Sequence, residues 1–213
     1  MSRSISRSDT CGDIRPTPAP TTDAKRQCDK RPTTKNGVAT LDSKQIVFNV
    51  RRAIIDDIAV LAQHRAAMFH DMGTLPVHQI ASLQGATALY LRDAIPRGEY
   101  LAWVAEDAGD SSSIIGGAGV QLRPILPRPR PGSDDLELGP EAIVLNVYVE
   151  STWRRRGVAE ALMRTLLQEL SARGIRRIVL HASDDGRRLY ERLGFVATNE
   201  MRLGSHAAIP TGE

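Results

Sequence analysis

The segment from Ala142 to Ala182 constrains the fold most. "AIVLNVYV" (142–149) is an apolar strand, "ESTWRRRG" a short polar loop, and residues 158–173 an amphipathic helix ending at Gly174. "IRRIVLHA" (176–182) follows as a second strand. Ala159, Leu162, Met163, Leu166 and Leu170 repeat at helical spacing, so one helix face must lie on a sheet. A strand, a helix and a strand in this order form a crossover within one sheet, expected to be right-handed. The nearly unbroken apolar run of 142–149 predicts a strand buried on both faces.

Three arginines stand where the helix dipole is already positive. Positive side chains there repel the free N–H groups of the first helical turn. An anion held between them reverses the sign, and a diphosphate fits because helix N-termini bind phosphate through backbone N–H groups. Gly157 permits close approach, having no Cβ.

The rest of the chain frames that unit. Residues 1–44 hold four prolines and no sustained apolar periodicity, and are expected to be a disordered basic tail. They carry nine basic and five acidic residues, against 19 and 20 in residues 45–213. The pI of about 9.1 therefore belongs to the tail, and the near-neutral remainder disfavours nucleic acid as a partner. Cys11 and Cys28 also lie in the tail, as free thiols without a metal-binding cluster around them. No apolar run approaches the roughly 20 residues that span a bilayer. A secretory signal is absent from residues 1–37, and a cytoplasmic location without membrane contact is expected.

A single domain is expected over 45–213. "IVFNVRRAI" (46–54) alternates as a strand, and "DDIAVLAQHRAAMF" reads as a helix ended by Gly73 and Pro76. Ile80, Leu83, Thr87, Leu91 and Ile95 mark a second helix. Residues 100–107 and 113–122 read as a strand pair, 123–141 as a long proline-rich loop, 185–194 as a short helix and 195–203 as a last strand. The order is β-α-α-β-β-β-α-β-α-β, an α/β fold with a mixed sheet flanked by helices.

Arg154-Arg155-Arg156-Gly157-Val158-Ala159 after a buried strand, and "LYERLGF" (189–195) beyond the next strand, resemble the GNAT superfamily of acyl-CoA N-acyltransferases, in its small bacterial form. The resemblance covers about 155 of the 213 residues. It implies the GNAT fold, a mostly antiparallel mixed sheet, and acetyl-CoA as cosubstrate. It places CoA phosphate on Arg154, Arg155, Arg156, Gly157, Val158 and Ala159, and pantetheine on the strand backbone over Val147, Tyr148 and Val149. It implies transfer of an acetyl group to a primary amine of a small molecule or peptide, with Tyr190 as proton donor to the departing thiolate. Asn146, the polar residue of the apolar strand, is the second catalytic candidate, orienting substrate or water through its amide. The base stays open among Glu150, Asp71, His70 and Glu106, directly or through water. No metal is implied.

Two departures limit the carry-over. Ser183 replaces the asparagine often found seven residues before the helix tyrosine. Beyond 203 ten residues remain, with Gly204, Pro210 and Gly212 among them, so a full seventh strand is not expected, and a homodimer stays open. The competing reading is a catalytically silent CoA-binding regulatory module.

Overall fold

The computed structural model describes residues 48–130 and 132–201. The expected tail 1–44, the first two residues of the first strand and the region of a seventh strand lie outside them. Strand β1 (Phe48–Arg52) leads through a 3-10 turn to helices α1 (Ile58–Asp71) and α2 (Ile80–Ala94). Strands β2 (Tyr100–Asp107) and β3 (Asp110–Pro124) form a hairpin about Ala108-Gly109. Then come β4 (Arg128–Pro129), β5 (Leu136–Glu137), β6 (Pro140–Val149), α3 (Val158–Ala172), β7 (Ile178–Leu180) and α4 (Asp184–Arg192).

The main sheet runs β1-β2-β3-β6-β7, antiparallel except for the parallel pair β6–β7. That pair is the expected crossover. The side-chain period of two distributes β2 between two cores: Leu101, Trp103 and Ala105 pack with Val158, Leu162, Met163, Leu166 and Leu170 of α3. Tyr100, Ala102 and Val104 face Ile58, Leu61 and Leu91 of α1 and α2. Six of the eight β2 residues are buried, as befits an interior strand held between β1 and β3 with helices on both faces.

Three expectations are corrected. Strand β6 alternates between buried and half-buried residues and is not buried throughout, because its neighbour β7 pairs with it only from Ala142 to Val144. The 123–141 segment is no structureless loop: β3 and β6 continue pairing out to Pro124 opposite Pro140, and β4 and β5 form a two-stranded ladder beyond them. The last strand is absent from the described part of 195–203, where Phe195–Met201 takes no strand conformation. Val196 and Met201 are 82% and 95% exposed, so these apolar side chains gain no burial that would favour a strand there.

Candidate functional site

Strand β6 opens. After Val144 its backbone leaves β7, and Leu145 to Val149 have β3 on one side only. At the start of that stretch β6 bulges: Leu145 pairs with Gly119 and Tyr148 with Gly117, so Asn146 and Val147 together oppose Ala118. Asn146 takes φ +56°, left-handed backbone that asparagine tolerates better than most residues. A bulge re-aims side chains and leaves backbone groups unpaired, here along the free edge. Val147, Tyr148 and Val149, expected to meet pantetheine through their backbone, lie on that edge.

The Asn146 side chain is committed at both ends. Its Oδ1 accepts from Arg65 Nη1 of α1, and its Nδ2 donates to Tyr100 Oη at 2.7 Å. Burial pushes the Tyr100 phenol up to about 12, so it stays protonated. Gly119 makes room for this network, since a Cβ there would stand 1.8 Å from Tyr100 Oη. The amide thus braces the bulge against α1 and β2 beside the open edge.

The loop after β6 follows the sequence reading at its glycine. Gly157 takes φ +82°, and the space where a Cβ would stand is empty of protein atoms within 4 Å. The first bond of α3 runs from Ala161 N–H to Gly157 O at 3.0 Å. The N–H groups of Val158, Ala159 and Glu160 precede it and have no partner within the helix. Val158 itself is buried against the sheet.

The three arginines differ. Arg154 donates from Nε to Val149 O at 3.0 Å, pairs with Asp71 at the end of α1, and lies 5.5 Å over the Tyr148 ring. It ties the loop to β6 and α1. Arg155, at φ +63°, and Arg156, 5.4 Å over Trp153, meet no carboxylate among the described residues. These two retain donors for an anion.

Helix α4 carries Tyr190, packed edge-on to Phe195 at 6.0 Å and against the core beneath α3, and burial raises its phenol above the ordinary tyrosine value. Ser183 caps α4, accepting from Gly186 N–H at 3.3 Å. It has the local task of a helix cap.

The base candidates separate cleanly. Asp71 is held by Arg154, Glu106 by Arg51 at 2.6 Å, and the His70 ring by Leu75 O at 3.0 Å. Glu150 pairs with no arginine among the described residues. Its carboxylate lies 3.3 Å from His64 Nε2, without hydrogen-bond alignment, at the end of the open edge. His64, 1% exposed, has neither ring nitrogen hydrogen-bonded, and burial lowers its pKa to about 4. Its ring stands 5.1 Å from that of Tyr148, and Gly117 leaves the space it occupies. The sequence reading passed over His64 and Arg65. The available signal was a histidine three residues after Leu61, on the apolar face of α1.

The Acetyltransferase (GNAT) family model matches residues 75–195. Among solved structures, a GCN5-related N-acetyltransferase from Ralstonia eutropha JMP134 is 31% identical with a TM-score of 0.64. That alignment covers 76% of this chain and 100% of that one. A predicted acetyltransferase with acetyl-CoA from Clostridium acetobutylicum is 27% identical over 74% of this chain and 96% of that one, with a TM-score of 0.63. Glucosamine-6-phosphate N-acetyltransferase from Arabidopsis thaliana, at 14% identity, 76% and 99% coverage and a TM-score of 0.54, shares the fold. No curated protein matches the chain. The open edge of β6, the glycine-started helix beside it and the match over more than half the sequence lead to one conclusion: the chain belongs to the GNAT acetyltransferase family, whose chemistry is acetyl transfer.

Proposed function

We propose that the protein is an N-acetyltransferase that moves the acetyl group of acetyl-CoA to a primary amine of a small molecule or peptide, by direct attack in a ternary complex. The observation that carries this reading is the divergence of β6 from β7 past Val144, with open space over Gly157 at the start of α3 and Glu150 beside His64 at the end of the strand. The residues present fit acetyl-CoA. Arg155, Arg156 and the free N–H groups of Val158 and Ala159 would hold the pyrophosphate. The edge of Val147, Tyr148 and Val149 would pair with the pantetheine amides, as an added strand does.

Bound there, acetyl-CoA supplies an activated acyl group. Glu150 takes the proton of the acceptor ammonium, directly or through one water, which frees the nitrogen lone pair to attack the carbonyl carbon. The carbon–sulfur bond breaks as the tetrahedral intermediate collapses, and Tyr190 gives its proton to the leaving thiolate. Neutral His64 lies beside the Glu150 carboxylate on its buried side and adds no charge that would hold its proton off. Asn146, fixed between Arg65 and Tyr100, holds the bulge that keeps the edge open.

Thiol release from acetyl-CoA, measured over amino acids, polyamines, aminoglycosides and peptides, tests the activity. Release that requires one acceptor class supports it. CoA binding with no release across the panel would favour the silent regulatory module. Gly157→Val tests the cradle: a side chain at φ +82° is strained and would fill the open space. Affinity for CoA should fall at least about tenfold, or about 1.4 kcal/mol, while a pantetheine fragment without phosphates binds as before.

A further inference from the structure

Arg65 has no counterion among the described residues. Among the described residues, most arginines lie within 4 Å of a carboxylate, and of those that do not, every one but Arg65 is solvent-exposed. Arg65 is half-buried on α1, its guanidinium 4.9 Å over the Phe69 ring and one nitrogen, Nη1, donating to Asn146 Oδ1. The Nε and Nη2 edge donates to no protein acceptor among the described residues. A guanidinium partly removed from water is costly unless its charge is met. That free edge presents two parallel N–H groups in the geometry that accepts a carboxylate or phosphate through both oxygens.

Its position gives the free edge a use. Asn146, which Arg65 touches, begins the open segment of β6, and Glu150, beside His64, ends it. Arg65 and His64 are consecutive on α1, so this one helix presents a cation to one end of the segment and lines the carboxylate at the other. Arg154, the other cation nearby, is already neutralised by Asp71. The α1 side of the opening therefore holds one uncompensated positive group and one carboxylate not bound by any arginine.

We propose that Arg65 is the specificity-determining residue for the acceptor, and that the acceptor is an amine carrying an anionic group, a carboxylate or a phosphate, which the Nε–Nη2 edge of Arg65 receives. This rests on the N-acetyltransferase reading above and narrows it: polyamines and aminoglycosides, which carry only cationic groups, are poor acceptors.

The test uses acceptor pairs that differ in the anion alone: phenylalanine and phenethylamine, 6-aminohexanoate and pentylamine, phosphoethanolamine and ethylamine. Thiol release is measured for the full chain and for Arg65→Gln and Arg65→Lys. Gln keeps a donor for Asn146 and removes the charge; Lys keeps the charge and removes the fork. Within at least one pair the anionic member should have a KM at least tenfold lower, and Arg65→Gln should erase at least tenfold of that preference, with Arg65→Lys between. Which pair responds tells α-carboxylate, distant carboxylate and phosphate apart. Differences in amine basicity within a pair cancel when the variant is compared with the parent.

A preference that survives Arg65→Gln unchanged, with both members of each pair slowed equally, would reduce Arg65 to a brace for Asn146 and overturn the proposal. Calorimetric binding of the same anionic amines to the CoA-loaded protein reads the site without turnover. Binding that Arg65→Gln abolishes, in the absence of any thiol release, sustains this site and removes the N-acetyltransferase reading. Thiol release with uncharged or cationic amines and no preference for the anion does the reverse.

Discussion

The two ends of β6 each bury a polar side chain, and they treat it in opposite ways. Glu141, near the Pro140 end, is 1% exposed and accepts from Arg123 Nε at 2.6 Å and from Arg177. Burial works to raise its pKa, but the two guanidiniums outweigh it and hold the carboxyl below its usual value. Every charge there is met, and the shallow hollow of about 350 Å³ beside Pro124 and Pro140 offers no unpaired ionisable group. At the other end, among the described residues, His64 is equally buried with no hydrogen bond, Arg65 has no counterion, and Glu150 has no arginine. A saturated cluster fastens strands together. An unsaturated one leaves bonds for a substrate to make.

The contrast breaks most sharply at Glu150. Glu150→Gln should lower kcat/KM by about 10³-fold near neutral pH, within the range of a lost general base, with CoA affinity unchanged by calorimetry. A tenfold effect or less would leave the amine to lose its proton elsewhere.

His64 gives the next largest effect, on stability. Its folded pKa of about 4 lies below the unfolded value of about 6.5, so the unfolded chain takes up a proton that the folded one refuses. Stability is complete above about pH 6.5, falls as the pH drops toward 4, and the loss amounts to at most about 3 kcal/mol. Urea denaturation across that window should show the slope in the parent and a flatter profile in His64→Gln. Identical profiles would mean that Glu150, 3.3 Å away, compensates the imidazolium.

Tyr190→Phe keeps the ring packed on Phe195 and removes the hydroxyl. Single-turnover measurements should show acyl transfer slowed by about 10²-fold, and the deficit should shrink for a donor whose thiol is more acidic. An unchanged rate assigns Tyr190 to packing.

The smallest effect belongs to the saturated end. Glu141→Gln should cost about 1 kcal/mol, seen as about 2–4 °C in Tm, because Arg123 and Arg177 are 56% and 36% exposed and regain water. The depressed carboxyl pKa contributes stability above its unfolded value of about 4.5, and that contribution disappears as the pH falls through the folded value. The gap between parent and variant should therefore close in acid. Turnover at neutral pH should not change; a loss of activity would join the two ends that the structure separates.

The sequence by itself determined what depends on neighbours along the chain. The helical repeat of α3 and the glycine that starts it are local, so 157–174 is legible in the sequence, whereas the half-buried face of β6 and its bulge are not. The expectation of a strand over 195–203 fails in its described part, because residue type does not supply the partner a strand needs. With β7 only three residues long, Phe195–Met201 forms no ladder. Tertiary structure alone decided the bulge at Asn146 and its clamp. Arg65 reaches it across 81 residues of sequence and Tyr100 across 46, and both depend on how α1, β2 and β6 meet. The same holds for His64, an ordinary helix residue in the sequence, which acquires chemistry only where α1 packs beside Glu150 and Tyr148. Backbone propensity acts over a few residues, whereas desolvation and charge pairing act through space, and the second kind of force is the one that sets this site.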